Sequence, residues 1–121
     1  MKFHLAAGEG NVITGVGPGW IRVGVREYRE NVAMTAQTIA PGWTQGGFDQ
    51  LTDTNFEALL ALAPEIVLLG TGTTLRFPHP RLIRALTDAR VGVEVMDTPA
   101  ACRTFNILAA EGRKVAAALL V

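Results

Sequence analysis

The stretch VGVEVMDTPAACRTFNILAAEG, residues 91–112, constrains the fold more than any other part of the chain, because it holds a strand, a turn and a whole helix in succession. Val91, Val93 and Val95 alternate with Gly92, Glu94 and Met96, the period-two pattern of a strand. Thr98 then stands where a helix cap is expected, Pro99 occupies the first turn without sacrificing a hydrogen bond, and Gly112 closes the helix. Ala101, Phe105 and Leu108 share one side of the wheel with Ala109 beside them, so this helix is expected to pack on a sheet through small and medium side chains. A further apolar strand follows at 115–120. Strand, helix and strand in that order imply a right-handed parallel crossover.

The same alternation extends upstream. Residues 65–69, EIVLL, form an apolar run of strand length that ends at Gly70-Thr71-Gly72, as a central strand covered on both faces would. The helix before it is expected to begin near Thr52 or Thr54. Thr54 and Glu57 have capping-box spacing, and Phe56, Leu59, Leu60 and Ala63 fall on one face before Pro64 stops the helix. After Pro80 another helix presents Leu82, Ile83 and Leu86 to the core and Arg81, Arg84 and Asp88 to water, with Gly92 following its end. From Lys2 to about Met34, β-type segments at 12–16, 20–23, 25–28 and 32–35 are separated by glycine turns. Pro41, Gly42, Gly46 and Gly47 mark a loop around Trp43. The expectation is a single α/β domain over residues 1–121, a three-layer α/β/α-like sandwich. It has a mostly parallel C-terminal sheet, an antiparallel β meander over 1–36 that extends or covers that sheet, and helix–strand alternation over 52–121.

Composition narrows the function classes. At 121 residues and 49% hydrophobic the chain can bury a core without staples, and its lone cysteine, Cys102, excludes an internal disulfide and a multi-cysteine zinc site. Eleven basic residues balance eleven acidic ones and are read as scattered, so the field that would draw in nucleic acid or an anionic membrane surface is expected to be missing. Trp20, Tyr28 and Trp43 lack the basic groove that would make them stacking platforms. No apolar run approaches the roughly 18 residues of a bilayer span, and MKFHLAAGEGN is too short in apolar residues for a secretory signal. The expectation is a cytoplasmic location, no transmembrane segment, no nucleic-acid partner, no metal and no cofactor.

Three motifs carry a family likeness: Gly70 to Gly72 after the central strand, GVEVMDT over 92–98, and AACRTFNILAAEGRKVAAALL over 100–120. In these the chain resembles a family of small bacterial domains of unknown function, related to the mitochondrial NADH:ubiquinone oxidoreductase (complex I) assembly factor 3 and to the adipogenesis-associated cytosolic domain protein. The resemblance covers most of the chain and is strongest in its second half. It implies a three-layer fold with an added β-rich element. For the mitochondrial relative it implies a non-enzymatic role in building a membrane-bound respiratory complex, hence a protein client such as a membrane-complex subunit and a location peripheral to the inner membrane through that partner. Family members often carry Tyr where this chain has Phe105, and they do not all carry a cysteine at the place of Cys102. The family supplies no established catalytic set to transfer.

Residue by residue, two surfaces stand out. One is a ligand cleft formed by Gly70, Thr71, Gly72, Asp97, Thr98, Arg103 and Asn106, at the carboxyl ends of parallel strands where open α/β sheets place ligands. It underlies an alternative reading as a small-molecule-binding domain or weak enzyme. The glycines match the first two of a dinucleotide fingerprint, with Asp97 where a ribose-binding acid would stand. The third glycine position is Leu75, however, and Pro78 and Pro80 delay the helix, so a tight structural turn is expected. Asn106 offers its amide either to a ligand or to a neighbouring loop, with the structural tie favoured, and Arg103 is expected to be solvated or paired. The other surface is Trp43 with Phe77-Pro78-His79-Pro80, a stiff segment able to dock a protein partner or simply to set the entry to the second helix. Cys102 lies near a helix start and beside Arg103, which favours thiolate, but His4 and His79 are far from it in sequence, so a small buried side chain is expected. Glu94 in mid-strand needs either an arginine partner or an edge, and the ion pair is the expectation.

Overall fold

The computed structural model describes residues 10–121, so the expected strand start at Lys2 and the position of His4 lie outside the described residues. The meander is present as β1 (Ile13–Gly17), β2 (Trp20–Val23) and β3 (Arg26–Tyr28), an antiparallel sheet in that order. Its turns use Gly19 and Gly24 at φ +80° and +60°, which glycine adopts without a Cβ penalty. Ile21 and Val23 are buried and Tyr28 pairs with Ile21, so one face of this small sheet is apolar and needs a cover.

That cover is a second sheet. It comprises β4 (Val32–Met34), β5 (Ile39–Pro41), β6 (Ile66–Gly70), β7 (Gly92–Met96) and β8 (Val115–Leu119), in the order β5-β4-β8-β6-β7. β6 pairs in parallel with both β7 and β8, while β4 is antiparallel to β8 and β5. β6 is therefore interior to the sheet and apolar on both faces, with Val67, Leu68 and Leu69 fully buried. The strand expected at 32–35 leaves the meander and joins this sheet. β5 was not expected, and it ends in Pro41 at a sheet edge, where a missing amide breaks no ladder.

The alternation of side chains sorts two cores. Val115, Ala117, Leu119, Leu68, Val32 and Met34 face the meander and helix α3 (Thr98–Ala110), packing with Ile13, Ile21, Ala101 and Phe105. Ala116, Ala118, Leu120, Val67 and Leu69 face the other way, onto α1 (Asp53–Ala58) and α2 (Arg84–Asp88) through Phe56, Leu59 and Leu86. The result is three layers: the meander beside α3, the five-stranded sheet, and the α1–α2 pair. The alanines of β8 let both outer layers approach closely.

Helix ends depart from the sequence expectations. Thr52, not Thr54, caps α1: its hydroxyl accepts from the Asn55 amide at 3.2 Å and the Asn55 side chain accepts from the Thr52 amide at 2.9 Å. The helix then tightens into a 3-10 turn, Leu59–Leu62, and Ala63 ends it at φ 52°. Three residues per turn rotate the later side chains, so Leu62 reaches the core and Ala63 is exposed. α2 is closed by Arg90 at φ 60°, and Gly92 belongs to β7. α3 is capped by Asp97, which accepts from the Ala100 amide at 2.8 Å, and not by Thr98. Gly112, at φ +81°, does end α3: its amide donates to Ala109 and the Arg113 amide to Leu108, a Schellman closure.

Candidate functional site

The carboxyl ends of β6 and β8 and the start of α3 meet at Thr98. Its hydroxyl accepts from the Gly72 amide at 2.8 Å and donates to the Leu120 carbonyl at 2.6 Å, while its own amide donates to the Gly72 carbonyl at 2.8 Å. This is why Thr98 is not the cap. Gly70 permits the approach: a Cβ there would lie 3.0 Å from the Thr98 Cα and 3.0 Å from Leu119 Cδ2. Thr71 turns the chain, its amide donating to Met96 and its hydroxyl to the Thr74 carbonyl at 2.6 Å, and Gly72 follows at φ +94°. Amides that could cradle a phosphate are thus engaged within the fold, since the Thr71 and Gly72 N–H groups already have acceptors.

The remaining members of the sequence-derived cleft spread along α3. Asp97 is occupied as the helix cap. Asn106 forms a reciprocal pair with Ile13, Oδ1 accepting from its amide at 2.9 Å and Nδ2 donating to its carbonyl at 2.8 Å, which ties α3 to the meander in the way a neighbouring strand would. Arg103 is exposed on the outer face. Cys102 is buried against the sheet, and burial, partly opposed by Arg103, pushes its thiol from the ordinary 9.0 up to about 11. The side chain is a thiol at neutral pH, without the thiolate that nucleophilic work requires. His79 Nδ1 accepts from the Arg81 amide at 3.2 Å at the head of the second helical segment. Glu94 is exposed because β7 is an edge strand, and it is absent from the ion pairs among the described residues, so the expected arginine partner is replaced by solvent. Among the described residues no three His, Cys, Asp or Glu side chains gather, and no helix is long and apolar enough to cross a membrane.

The partner-surface residues divide. The Trp43 indole N–H donates to Leu119 O at 3.1 Å and its ring meets Phe56 edge-on at 6.0 Å, so much of this side chain belongs to the fold. Phe77 is 71% exposed and Leu75 47%. They project from the loop 71–79, which is braced at Arg76: Thr71 Oγ1 accepts from the Arg76 amide at 3.2 Å, and the Arg76 guanidinium stacks 4.3 Å over Phe48 and pairs with Asp49 at 2.8 Å. Hollows lie elsewhere. One of about 590 Å³ opens at the other end of the sheet, among Gln37, Leu62, Pro64, Glu111 and Lys114.

Residues 13–120 match the family described as proteins of unknown function DUF498/DUF598. The chain belongs to this family. Among relatives of this chain, NADH dehydrogenase (ubiquinone) 1 alpha subcomplex assembly factor 3 of Mus musculus is 41% identical over 80 residues, 64% of this chain and 43% of that protein. The Homo sapiens protein of that name is 39% identical over 80 residues, 64% and 44% of the two chains. An uncharacterized protein of Rhodobacter capsulatus is 38% identical over 110 residues, 89% of this chain and 82% of that one. The chain thus spans less than half the length of these two assembly factors. Among solved structures, a Bordetella parapertussis protein superposes with TM-score 0.85 at 38% identity, covering 92% of this chain and 95% of that one. A Bordetella pertussis protein described as an Mth938-like domain gives 0.83 at 32% identity, covering 99% and 92%.

Two polar residues that organise the carboxyl end of this chain's larger sheet were missed by the sequence reading. Asn31, buried, donates to the Thr44 and Gly46 carbonyls at 3.0 and 2.8 Å and accepts from the Val121 amide at 3.0 Å. Thr44, also buried, donates to Asn55 Oδ1 at 3.2 Å. Asn31 sits between two β-type segments, and the polar residue that ends one strand and starts another looks like any turn residue in sequence.

Proposed function

We propose that this chain is a non-enzymatic protein-binding domain of the assembly-factor type, serving a membrane-bound respiratory complex through a protein client. The observation that carries the reading is the 41% identity, over 64% of this chain, with a protein named as an assembly factor of NADH dehydrogenase. Its support in the fold is a contrast. Polar side chains at the sheet's carboxyl end, those of Thr98, Asp97 and Trp43, together with Asn106 further along α3, are engaged in holding elements together, while Phe77 and Leu75 stand in solvent on a braced loop. A rigid exposed aromatic with apolar company is the feature that anchors protein interfaces.

The client surface on this reading centres on Phe77, Pro78, His79 and Pro80. Affinity capture from the native cell tests it: the wild type is expected to recover a subunit or insertion component of the respiratory complex, and Phe77→Ser is expected to lose it. Recovery of no consistent partner removes the reading. The rival, a small-molecule site at Gly70 to Gly72 and Thr98, calls for a ligand-dependent rise in Tm in a thermal-shift screen of metabolites and nucleotides; on the assembly reading Tm does not move.

A further inference from the structure

Charges that cancel over the whole chain do not cancel locally. Between Arg29 and Arg76 there are five acidic side chains, Glu30, Asp49, Asp53, Glu57 and Glu65, and no lysine or arginine; residues 76–90 then hold four arginines and Asp88. The fold keeps this segregation. Asp53 and Glu57 are exposed on α1, and Arg81, Arg84 and Arg90 are exposed on and beside the adjacent α2. Arg76 is held by Asp49, but Arg81, Arg84 and Arg90 are in none of the ion pairs among the described residues. Arg81 and Arg84 follow in the chain directly after the loop that projects Phe77 and Leu75, with Asp88 one turn beyond Arg84.

We infer that the surface from Phe77 along Arg81 and Arg84 takes an acidic peptide segment of the client, with an apolar side chain of that segment seated against Phe77 and Leu75. This deepens the client-binding reading and rests on it. Two projecting apolar side chains fall far short of the roughly 800 Å² per partner that a stable interface buries, so they anchor but do not hold. Unpaired guanidinium groups beside them supply the remainder, and carboxylates are what they pair with best. A flat anionic bilayer is a poorer fit, because Asp49, Asp53 and Glu57 lie in the same outer layer and would be brought down with the arginines. A narrow segment can follow the arginine row alone. Single-stranded nucleic acid is also narrow, but it needs successive stacking rings, and Phe77 is the one exposed Phe, Tyr or Trp among the described residues.

Fluorescence anisotropy with a short labelled peptide of Glu, Asp and Leu tests this, against its Lys-for-acid counterpart, an oligouridylate and phosphatidylserine vesicles. The wild type is expected to bind the acidic peptide and not the lysine one, more weakly as salt rises. Arg81→Glu with Arg84→Glu is expected to weaken binding at least about tenfold and the milder Gln pair to weaken it less. Phe77→Ser is expected to weaken it too, and Arg26→Glu on the meander to leave it unchanged. Thermal unfolding of each variant confirms that the fold is intact. The inference is overturned by absent binding, by equal binding of the lysine peptide, by indifference to the Arg81 and Arg84 changes, or by tighter binding of the oligouridylate or vesicles. If the acidic peptide fails while capture of the cellular client still depends on Phe77, the inference falls and the client-binding reading stands. If client capture survives Phe77→Ser, the inference falls because the client is held elsewhere; if no consistent client is captured at all, both fall.

Discussion

At Thr98 one hydroxyl serves two backbone groups, accepting from Gly72 and donating to Leu120, in a residue only 3% exposed. Thr98→Val keeps the shape and strands both partners, so denaturant unfolding is expected to show a loss of about 2–3 kcal/mol, whereas Thr98→Ser retains most of the stability. Asn106→Ala removes both bonds to Ile13 at a half-buried site and is expected to cost about 1–2 kcal/mol by the same measurement. At Cys102 the folded thiol titrates near 11 against an ordinary 9.0 because burial disfavours the thiolate. The unfolded chain therefore loses this proton first. The residue's contribution to stability is complete below about pH 9 and declines as pH rises from there towards 11, and removing it with Cys102→Ala should flatten that limb of the pH–stability curve. Iodoacetamide at neutral pH is expected to leave native Cys102 unmodified and to label it once the chain is unfolded. What sequence could say about these residues was their neighbourhood. That Thr98 would serve two remote backbone groups depends on how closely Gly70 lets α3 approach, a tertiary distance that no local pattern encodes.

At the level of elements, β6, β7, β8 and α3 were legible because their periodicity is strong and their ends are marked by Pro99 and Gly112. Caps were less so. Thr52 and Thr54 flank Asp53, and both start plausible helices; the choice fell to whichever residue stays extended, which is Thr52 at φ −123° and ψ 163°. Asp97 and Thr98 pose the same ambiguity, resolved because the Thr98 hydroxyl is taken elsewhere. β5 and the transfer of β4 into the larger sheet escaped notice since a three-residue strand is stabilised by its partner, here β4 on β5 and on β8, and hardly by its own composition. The 3-10 ending of the first helical segment leaves Ala63 in the left-handed region at φ 52°. Ala63→Gly relieves that conformation at an exposed position, and thermal unfolding is expected to show a gain of up to about 1 kcal/mol, the reverse of glycine's usual effect.

For the whole molecule, the layered architecture leaves different work to its two outer layers. The meander and α3 are bound to each other by Asn106 and cover one core, and the α1–α2 layer carries the segregated charges and the projecting loop. Phe77 and its proline-flanked segment were legible in sequence as a stiff aromatic loop, but its bracing by Arg76, Phe48 and Asp49 was not, because those partners are 27 or 28 residues apart along the chain. The Phe77→Ser change is expected to leave Tm within about 1 °C of the wild type, since exposed positions away from the core contribute little to stability. The central claim is that this braced surface, and not a buried polar site, carries the function. Its most direct test is to quantify assembled NADH:ubiquinone oxidoreductase in membranes of native cells lacking the chain and resupplied with wild type, Phe77→Ser or Asp97→Asn, which keeps the helix-cap acceptor. Assembly is predicted to fall without the chain, to return with wild type and Asp97→Asn, and to stay low with Phe77→Ser; undiminished complex in the cells that lack the chain, or full rescue by Phe77→Ser, contradicts it.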